Sequence, residues 1–184
     1  NFKAFSYIPN LVNDSLYSSL KAANTPEDQL PVLHAIGKAY SLYGYADSVV
    51  HYAKRIREIS NENSDFELAS EYIAISNELL GEGKYLNGLY DEALKAFIDG
   101  LSATETNQNP EANYRLKLGL GKVYLKKEMF EKADALFLEL TAVTNDKTLA
   151  AEANLYLGRS FFQQNKLEDA KKAFRDARKL INGA

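Results

Sequence analysis

The feature that most constrains this chain is a pattern of small and aromatic residues that returns with a fixed internal spacing. In one copy, Gly121 is followed twelve residues later by Ala133 and, four residues after that, by Phe137. A copy that begins at Gly158 repeats both intervals. A pattern that recurs in register indicates a repeat protein, in which each unit stacks on the next and the array presents a surface.

Two weaker copies lie upstream. The copy that begins at Gly81 keeps both intervals, whereas in the copy that begins at Gly37 the first interval is one residue shorter and ends at Ser48. Successive glycines are 44, 40 and 37 residues apart, which falls within the periods of helical solenoids. The four copies predict four helical hairpins.

The physical role of the pattern follows from helix packing. A small residue lets two helices approach closely, and an aromatic ring from the partner helix fills the space beside it. In the last predicted helix, apolar residues follow the spacing of a single face, at Leu167, Ala170, Phe174, Ala177 and Ile181. Charged residues cover most of the remaining positions, so this helix is predicted to be a solvated end cap.

These residues resemble the tetratricopeptide repeat (TPR). The segments Leu120–Tyr124 and Leu157–Phe161 are similar to the first half of its signature, and Asp91–Phe97 and Glu168–Phe174 to the second half. The resemblance implies an all-α, right-handed superhelix of about four helical hairpins with an extra N-terminal helix. The chain departs from the family in having no Trp and in repeat steps longer than the common 34 residues, which indicates longer turns between repeats.

The organisation along the chain is predicted from the residues that break helices and form turns. Residues 1–24 form an N-terminal segment and a capping helix, which runs from about Leu11 to Ala23. Residues 25–184 form the repeat array. Its repeats are expected at roughly 30–63, 64–107, 110–146 and 147–184.

The start of the array carries helix-initiation signals, namely Thr25, Pro26 and two following acids. Pro31 conflicts with an unbroken helix, because proline lacks the backbone donor that an interior position needs. Three outcomes stay open: a short first turn, a kink, or a helix that begins near Leu30.

Composition excludes several classes of function. The formal net charge of −3 provides no global basic field for nucleic acid. No apolar run approaches the roughly 18 residues of a membrane span, so direct membrane insertion by this chain is not expected. The absence of cysteine excludes disulfides, thiolate metal sites and a cysteine nucleophile.

The sequence offers no catalytic motif. The two histidines, His34 and His51, lack the spacing that places two imidazoles on one helix face for zinc. The segments Gly81–Lys84 and Gly119–Lys122 lack the additional glycine and the hydroxyl of a phosphate-binding loop, so glycine at a helix crossing is the favoured interpretation. We therefore expect no catalytic residues, no metal and no cofactor.

The remaining candidate for a binding site is the concave face of the superhelix, which in this repeat family is lined by the first helix of each hairpin. The residue after each signature glycine, together with its neighbours one helical turn away, should point there. The predicted peptide-binding residues are His34, Lys38, Glu78, Glu82, Tyr85, Arg115, Leu118, Lys122, Lys126, Arg159 and Phe162.

Four of these residues carry positive charge in the second half of the chain. We expect them to form a cationic half-groove that binds an acidic or C-terminal peptide segment, with Tyr85 and Phe162 as apolar contacts. The alternative is that cations on solvated helix faces are ordinary surface charge. The four cations are Arg115, Lys122, Lys126 and Arg159.

A narrower resemblance concerns the segment Ser15–Ile56. Its Thr-Pro-acid start, the pair Asp47 and Ser48, and the pair Tyr52 and Ala53 are similar to the N-terminal repeats of Bacteroidetes-type sensor histidine kinases and related regulators. The resemblance implies the sensing or scaffolding region of a two-component protein whose kinase domain lies outside this chain. A periplasmic location is then favoured over a cytoplasmic one.

Two alternatives to the sensor role remain open. The first is that the chain is a freestanding cytoplasmic TPR scaffold or a co-chaperone-like adaptor. Self-association is a further alternative, with Phe2, Phe5 and Tyr7 as the docking segment.

Overall fold

The computed structural model describes residues 14–65, 68–107 and 110–182. Within these ranges it contains nine α-helices and no β-strand. The helices are α1 (Asp14–Ala22), α2 (Pro26–Leu42), α3 (Ala46–Glu62), α4 (Ala69–Leu86), α5 (Tyr90–Asn107), α6 (Pro110–Lys126), α7 (Phe130–Val143), α8 (Lys147–Gln163) and α9 (Leu167–Asn182).

The helices form four hairpins, α2–α3, α4–α5, α6–α7 and α8–α9, with α1 packed against α2. First helices contact one another in succession, α2 with α4, α4 with α6 and α6 with α8. Each second helix of the first three hairpins packs on its own first helix and on that of the next hairpin, whereas α9 contacts only α8 among the described helices. The predicted all-α solenoid of four hairpins with an extra N-terminal helix is confirmed.

Each hairpin turn contains one residue in the left-handed backbone region, seven positions after the signature glycine. In the first two hairpins this residue is glycine, Gly44 with φ 75° and Gly88 with φ 73°. In the last two it is Glu128 with φ 57° and Asn165 with φ 60°. The turns are therefore alike in geometry although their residue types differ.

At each signature glycine, a side chain of another helix occupies the space that a Cβ atom would need. A Cβ atom on Gly121 would lie 2.6 Å from Cε1 of Phe137, and the second and fourth hairpins show the same relationship. In the first hairpin, a Cβ atom on Gly37 would instead lie 2.7 Å from Cδ1 of Leu79 in the next repeat. The predicted pairing of glycine with an aromatic from the partner helix is thus present in three hairpins.

The start of α2 is capped as expected. The Thr25 hydroxyl accepts a hydrogen bond from the backbone N–H of Asp28 at 3.2 Å, and Pro26 occupies the first turn. The helix then continues through Pro31, so a start near Leu30 is wrong. Pro31 is exposed, so water can replace the lost backbone hydrogen bond on that side.

Apolar side chains form three core clusters that follow one another along the array. Phe97 and Phe137 are among the largest fully buried side chains and belong to different clusters. The docking segment suggested for self-association, Phe2, Phe5 and Tyr7, and the predicted helix start near Leu11 lie outside the described residues. Among the described residues, no helix is both long enough and apolar enough to cross a membrane.

Candidate functional site

The first helices of all four hairpins line one cleft of about 380 Å³, called here the concave cleft. Helices α2 and α4 contribute Lys38, Ser41, Leu42, Glu78, Glu82, Tyr85 and Leu86. Helices α6 and α8 contribute Arg115, Leu118, Gly119, Lys122, Thr148, Leu149, Glu152 and Tyr156, and the lining is completed by Phe97 and Asp146.

The centre of the cleft is an ion-pair network built on Glu78. Lys38 Nζ donates to Glu78 Oε1 at 3.1 Å and to Glu82 Oε1 at 2.9 Å. Arg115 Nε donates to Glu78 Oε2 at 2.9 Å, and its Nη1 donates to Glu111 Oε1 at 2.6 Å. The two oxygens of Glu78 are therefore divided between the preceding repeat and the following one, which ties three successive first helices together.

Burial and charge act in opposite directions on this network. Burial favours the neutral form of Glu78, but Lys38 and Arg115 outweigh it and hold the pKa of its carboxyl below the usual value. Burial likewise disfavours the charged form of Lys38, yet Glu78 and Glu82 raise the pKa of its ammonium above the usual value. The pair is therefore charged at neutral pH.

His34 lies beside this network on α2. Burial is the main cause that lowers the pKa of its imidazole, and the neighbouring Glu78 opposes the effect without reversing it. Its Nε2 atom is buried and has no hydrogen-bond partner among the described residues. The imidazole is therefore neutral at pH 7.

The other half of the cleft is organised around Tyr156 of α8. Lys122 Nζ pairs with Glu152 Oε1 at 2.7 Å and lies 5.0 Å from the centre of the Tyr156 ring. The guanidinium carbon of Arg159 lies 5.0 Å from the same ring centre. Phe137 stacks on this ring with their centres 5.8 Å apart. Two cations thus share one aromatic ring, an arrangement that stabilises both.

Tyr85 joins the two halves of the cleft. It is half-buried on α4, its ring centre lies 5.7 Å from that of Tyr90, and it is close enough to Tyr156 and Lys122 to interact with both electrostatically. Burial raises the pKa of its hydroxyl above the usual value, so the group is a neutral donor and acceptor. Its ring also provides an apolar contact surface for a ligand.

Seven of the predicted residues do line the concave cleft, namely Lys38, Glu78, Glu82, Tyr85, Arg115, Leu118 and Lys122. His34 lies against the network without lining the cleft. Arg159 does not line the cleft but rests on the ring of Tyr156, and Lys126 and Phe162 are exposed outside it.

The charge of the lining differs from the expected cationic half-groove. Three basic and four acidic residues line the cleft, and each of the three cations is ion-paired with a carboxylate. The expectation counted cations on single helix faces, whereas stacking brings carboxylates from neighbouring repeats against them. Of the four predicted cations, Arg115 and Lys122 lie in the cleft and the other two do not.

Sequence reasoning missed Glu152 and Tyr156, which complete the second half of the site. A signal for Glu152 exists, because it lies six residues before Gly158, as Arg115 lies six residues before Gly121. In the described part of the chain, no group of three or more His, Cys, Asp or Glu residues could hold a metal ion.

Comparisons with known proteins bear on the fold. No family model and no curated protein matches the chain. Among solved structures, BtubC (BKLC) from P. vanneervenii matches with a TM-score of 0.66 and 13% identity, over 94% of this chain and 71% of that one. A candidate kinesin light chain from Podosopora anserina, with nearly identical TPR-like repeats, matches with a TM-score of 0.55 and 14% identity, over 92% of this chain and 83% of that one.

A variant of the Podosopora anserina protein matches with a TM-score of 0.57 and 14% identity, over 92% of this chain and 82% of that one. At these identities the likeness concerns the fold alone.

Proposed function

We propose that this chain, which has the fold of a TPR-like repeat solenoid, is a non-catalytic interaction or scaffold module that binds a peptide segment in the concave cleft. The observation that carries the proposal is that the first helices of all four hairpins contribute side chains to this one cleft. A preformed cleft of about 380 Å³ lies within the size range of ligand pockets, which is roughly 300–1,000 Å³.

The ion pairs support this proposal because they fix the cleft before a partner arrives. Glu78 is buried and holds Lys38 and Arg115 in place, so these long side chains lose little freedom on binding. Rotamer freedom that has been lost already no longer opposes association. Tyr85 and Leu86 add apolar surface next to the charged centre.

The contact proposed for an acidic partner is Lys122. Its present carboxylate, Glu152, is partly exposed and belongs to a single ion pair. Lys38 and Arg115 are each held by two carboxylates, of which Glu78 is common to both. A carboxylate of the partner exchanges with Glu152 at the Lys122 ammonium. The exchange conserves one ion pair and frees Glu152 to turn into solvent.

A random-peptide display library, selected on the full chain, tests the proposal. Enriched peptides are synthesised, and their affinities are measured by fluorescence anisotropy. We expect the variants Lys122→Ala and Tyr85→Ala each to bind them at least tenfold more weakly than the wild type. The matched control, Lys54→Ala, changes an exposed lysine on α3 outside the cleft and should leave the affinity unchanged.

Circular dichroism confirms that each variant is folded before binding is compared. Peptides that bind both cleft variants as tightly as they bind the wild type would place the binding surface elsewhere and overturn the proposal. A library that yields no enriched peptide would also count against a peptide-binding cleft.

The finer part of the proposal is a sensing or scaffolding role in two-component signalling, and it rests on the sequence resemblance of the segment Ser15–Ile56. The residues that carry it also have structural roles. Asn87 Nδ2 donates to Asp47 Oδ1 at 3.2 Å, and the Tyr52 ring stacks on Tyr40 with their centres 5.6 Å apart.

The complete reading frame tests the signalling role. A downstream membrane helix and kinase domain in the same polypeptide support it. A reading frame that encodes neither supports the alternative, a freestanding scaffold or adaptor.

A further inference from the structure

The C-terminal end of the array presents an uncovered face. It consists of Leu155, Arg159 and Phe162 on α8 and Phe174 and Ile181 on α9, and is called here the terminal face. All five side chains are exposed. Among the described helices, α9 packs against α8 alone.

Three residues of the terminal face, Leu155, Phe162 and Phe174, have buried counterparts one repeat earlier. The third and fourth repeats are related by a shift of 37 residues, which maps Gly121 onto Gly158. This shift maps Leu125 onto Phe162, and their exposed fractions are 6% and 63%. It also maps Phe137 onto Phe174, with exposed fractions of 0% and 37%.

The counterparts are buried because α8 covers them. Leu118, the counterpart of Leu155, and Leu125 belong to the same core cluster as Leu149 and Leu157 of α8. Since the fourth hairpin repeats the same apolar positions, its terminal face is built like a surface that accepts a helix. No helix covers this face within the described part of the chain.

The charge pattern shows the same regularity. The residue after the signature glycine pairs with the next first helix in two repeats, as Lys38 does with Glu78 and Lys122 with Glu152. Arg159 occupies this position in the fourth repeat. Among the described residues, no carboxylate lies within ion-pairing distance of Arg159, and its guanidinium rests on Tyr156.

We infer that the terminal face binds an amphipathic helix of a partner protein. The helix lays apolar side chains over Leu155, Phe162 and Phe174 and places a carboxylate opposite Arg159. Burial of exposed apolar surface drives the docking, and the charge pair fixes its register. This site shares no lining residue with the concave cleft and does not depend on the peptide proposed to bind there.

Charge argues against a second copy of the chain as the occupant. Helix α9 carries five basic and three acidic residues, and α8 adds Arg159 next to it. Two copies that met through their terminal faces would bring the same basic surfaces together. A helix of a partner protein that places a carboxylate opposite Arg159 complements this surface instead.

The chain itself supplies the probe, because α8 is the helix that covers the equivalent face of the third repeat. A synthetic peptide with the α8 sequence Lys147–Gln163, stapled on its exposed side to hold the helix, is labelled with a fluorophore and titrated with the full chain. We expect saturable binding. Arg159→Glu should weaken it at least tenfold, because this substitution places two carboxylates opposite each other at peptide position Glu152.

A charge swap makes the test specific for the terminal face. A peptide that carries Glu152→Lys should bind Arg159→Glu at least tenfold more tightly than it binds the wild type. If the peptide instead displaced the α8 helix of the chain, Lys122→Glu would weaken its binding and Arg159→Glu would not. The inference would then fail. The control Lys54→Glu, on an exposed position of α3, should leave both affinities unchanged.

Three further results would overturn the inference. One is the absence of saturable binding, and another is an affinity that Phe162→Asp leaves unchanged. Phe162 is exposed, so this variant is expected to fold, and circular dichroism checks it. The third is a wild-type dimer in sedimentation experiments that Phe162→Asp dissociates, since a second copy would then be the occupant.

Discussion

Gly121 and Phe137 face each other across the third hairpin with no room for a side chain on the glycine. A Cβ atom on Gly121 would lie 2.6 Å from Cε1 of the ring, closer than carbon atoms of folded proteins approach. Phe137 is fully buried and also stacks on Tyr156, so its ring cannot retreat. The corresponding ring of the fourth hairpin, Phe174, is partly exposed and can move outward.

This difference predicts unequal effects of the same substitution. Gly121→Ala should lower the free energy of unfolding by about 1–3 kcal/mol, the usual cost of overpacking a core. Gly158→Ala should have a smaller effect, because Phe174 can shift and because alanine gains roughly 0.5–1 kcal/mol over glycine within a helix. Urea unfolding of both variants measures the difference. Equal losses would show that exposure of the ring does not matter.

A stabilising substitution is predicted at the third hairpin turn. Glu128 has φ 57°, a conformation that costs a non-glycine residue roughly 1–2 kcal/mol. Because glycine loses more backbone entropy on folding, Glu128→Gly should raise the free energy of unfolding by only about 0.5–1 kcal/mol. Thermal unfolding should show a rise in Tm of about 1–4 °C. Asn165→Gly is the matched control, and its gain should be smaller because asparagine tolerates this conformation.

Glu78 is predicted to be the most sensitive carboxylate of the cleft. Glu78→Ala removes the shared partner of Lys38 and Arg115 and should lower the free energy of unfolding by about 3–5 kcal/mol, as expected when a buried ion pair is broken. Glu111→Ala removes an exposed partner of Arg115 and should cost under about 1 kcal/mol. Urea unfolding compares the two. Similar losses would mean that Glu78 is no more than a surface charge.

Acid should destabilise the fold in two stages. The pKa of His34 is lowered from its ordinary value of 6.5, so the unfolded state binds more protons below that pH and stability falls as the pH drops from 7 toward 5. The pKa of Glu78 is lowered from 4.5, so its contribution is present above that pH and is lost as the pH falls through the folded value.

His34→Gln should remove the first stage and keep the second. Urea unfolding at several values of pH between 7 and 3 measures both. The control His51→Gln changes an exposed imidazole on α3 and should retain the first stage. If the first stage persists in His34→Gln, it is caused by other groups.

Much of the fold could be predicted because its signals are local. The interval from Gly121 to Phe137 is set within one hairpin, so the repeated spacing, together with the resemblance to the TPR, predicted the four hairpins. The continuous helix through Pro31 could not be decided locally, since the outcome depended on whether that side of α2 faces solvent.

The site was predicted in part for the same reason. Positions such as Lys38 and Lys122 were predicted because each directly follows a signature glycine. Their partners Glu78 and Glu152 belong to the next repeat, and the stacking of repeats decides which charges meet. Reasoning from single helix faces therefore named Arg115 and Lys122, which line the cleft, together with Lys126 and Arg159, which do not, and it left out the carboxylates that stacking brings beside them.

Among the described helices α9 is attached to a single neighbour, which also affects how it can separate from the array. Inner helices such as α4 and α6 are held on several sides, so they leave the array only when their neighbours do. Helix α9 is released by losing one interface, whose buried side chains, Ala170, Ala173 and Ala177, are small. Within the described part of the chain, α9 can therefore separate while the inner helices stay packed, and a helix docked on the terminal face would oppose that step.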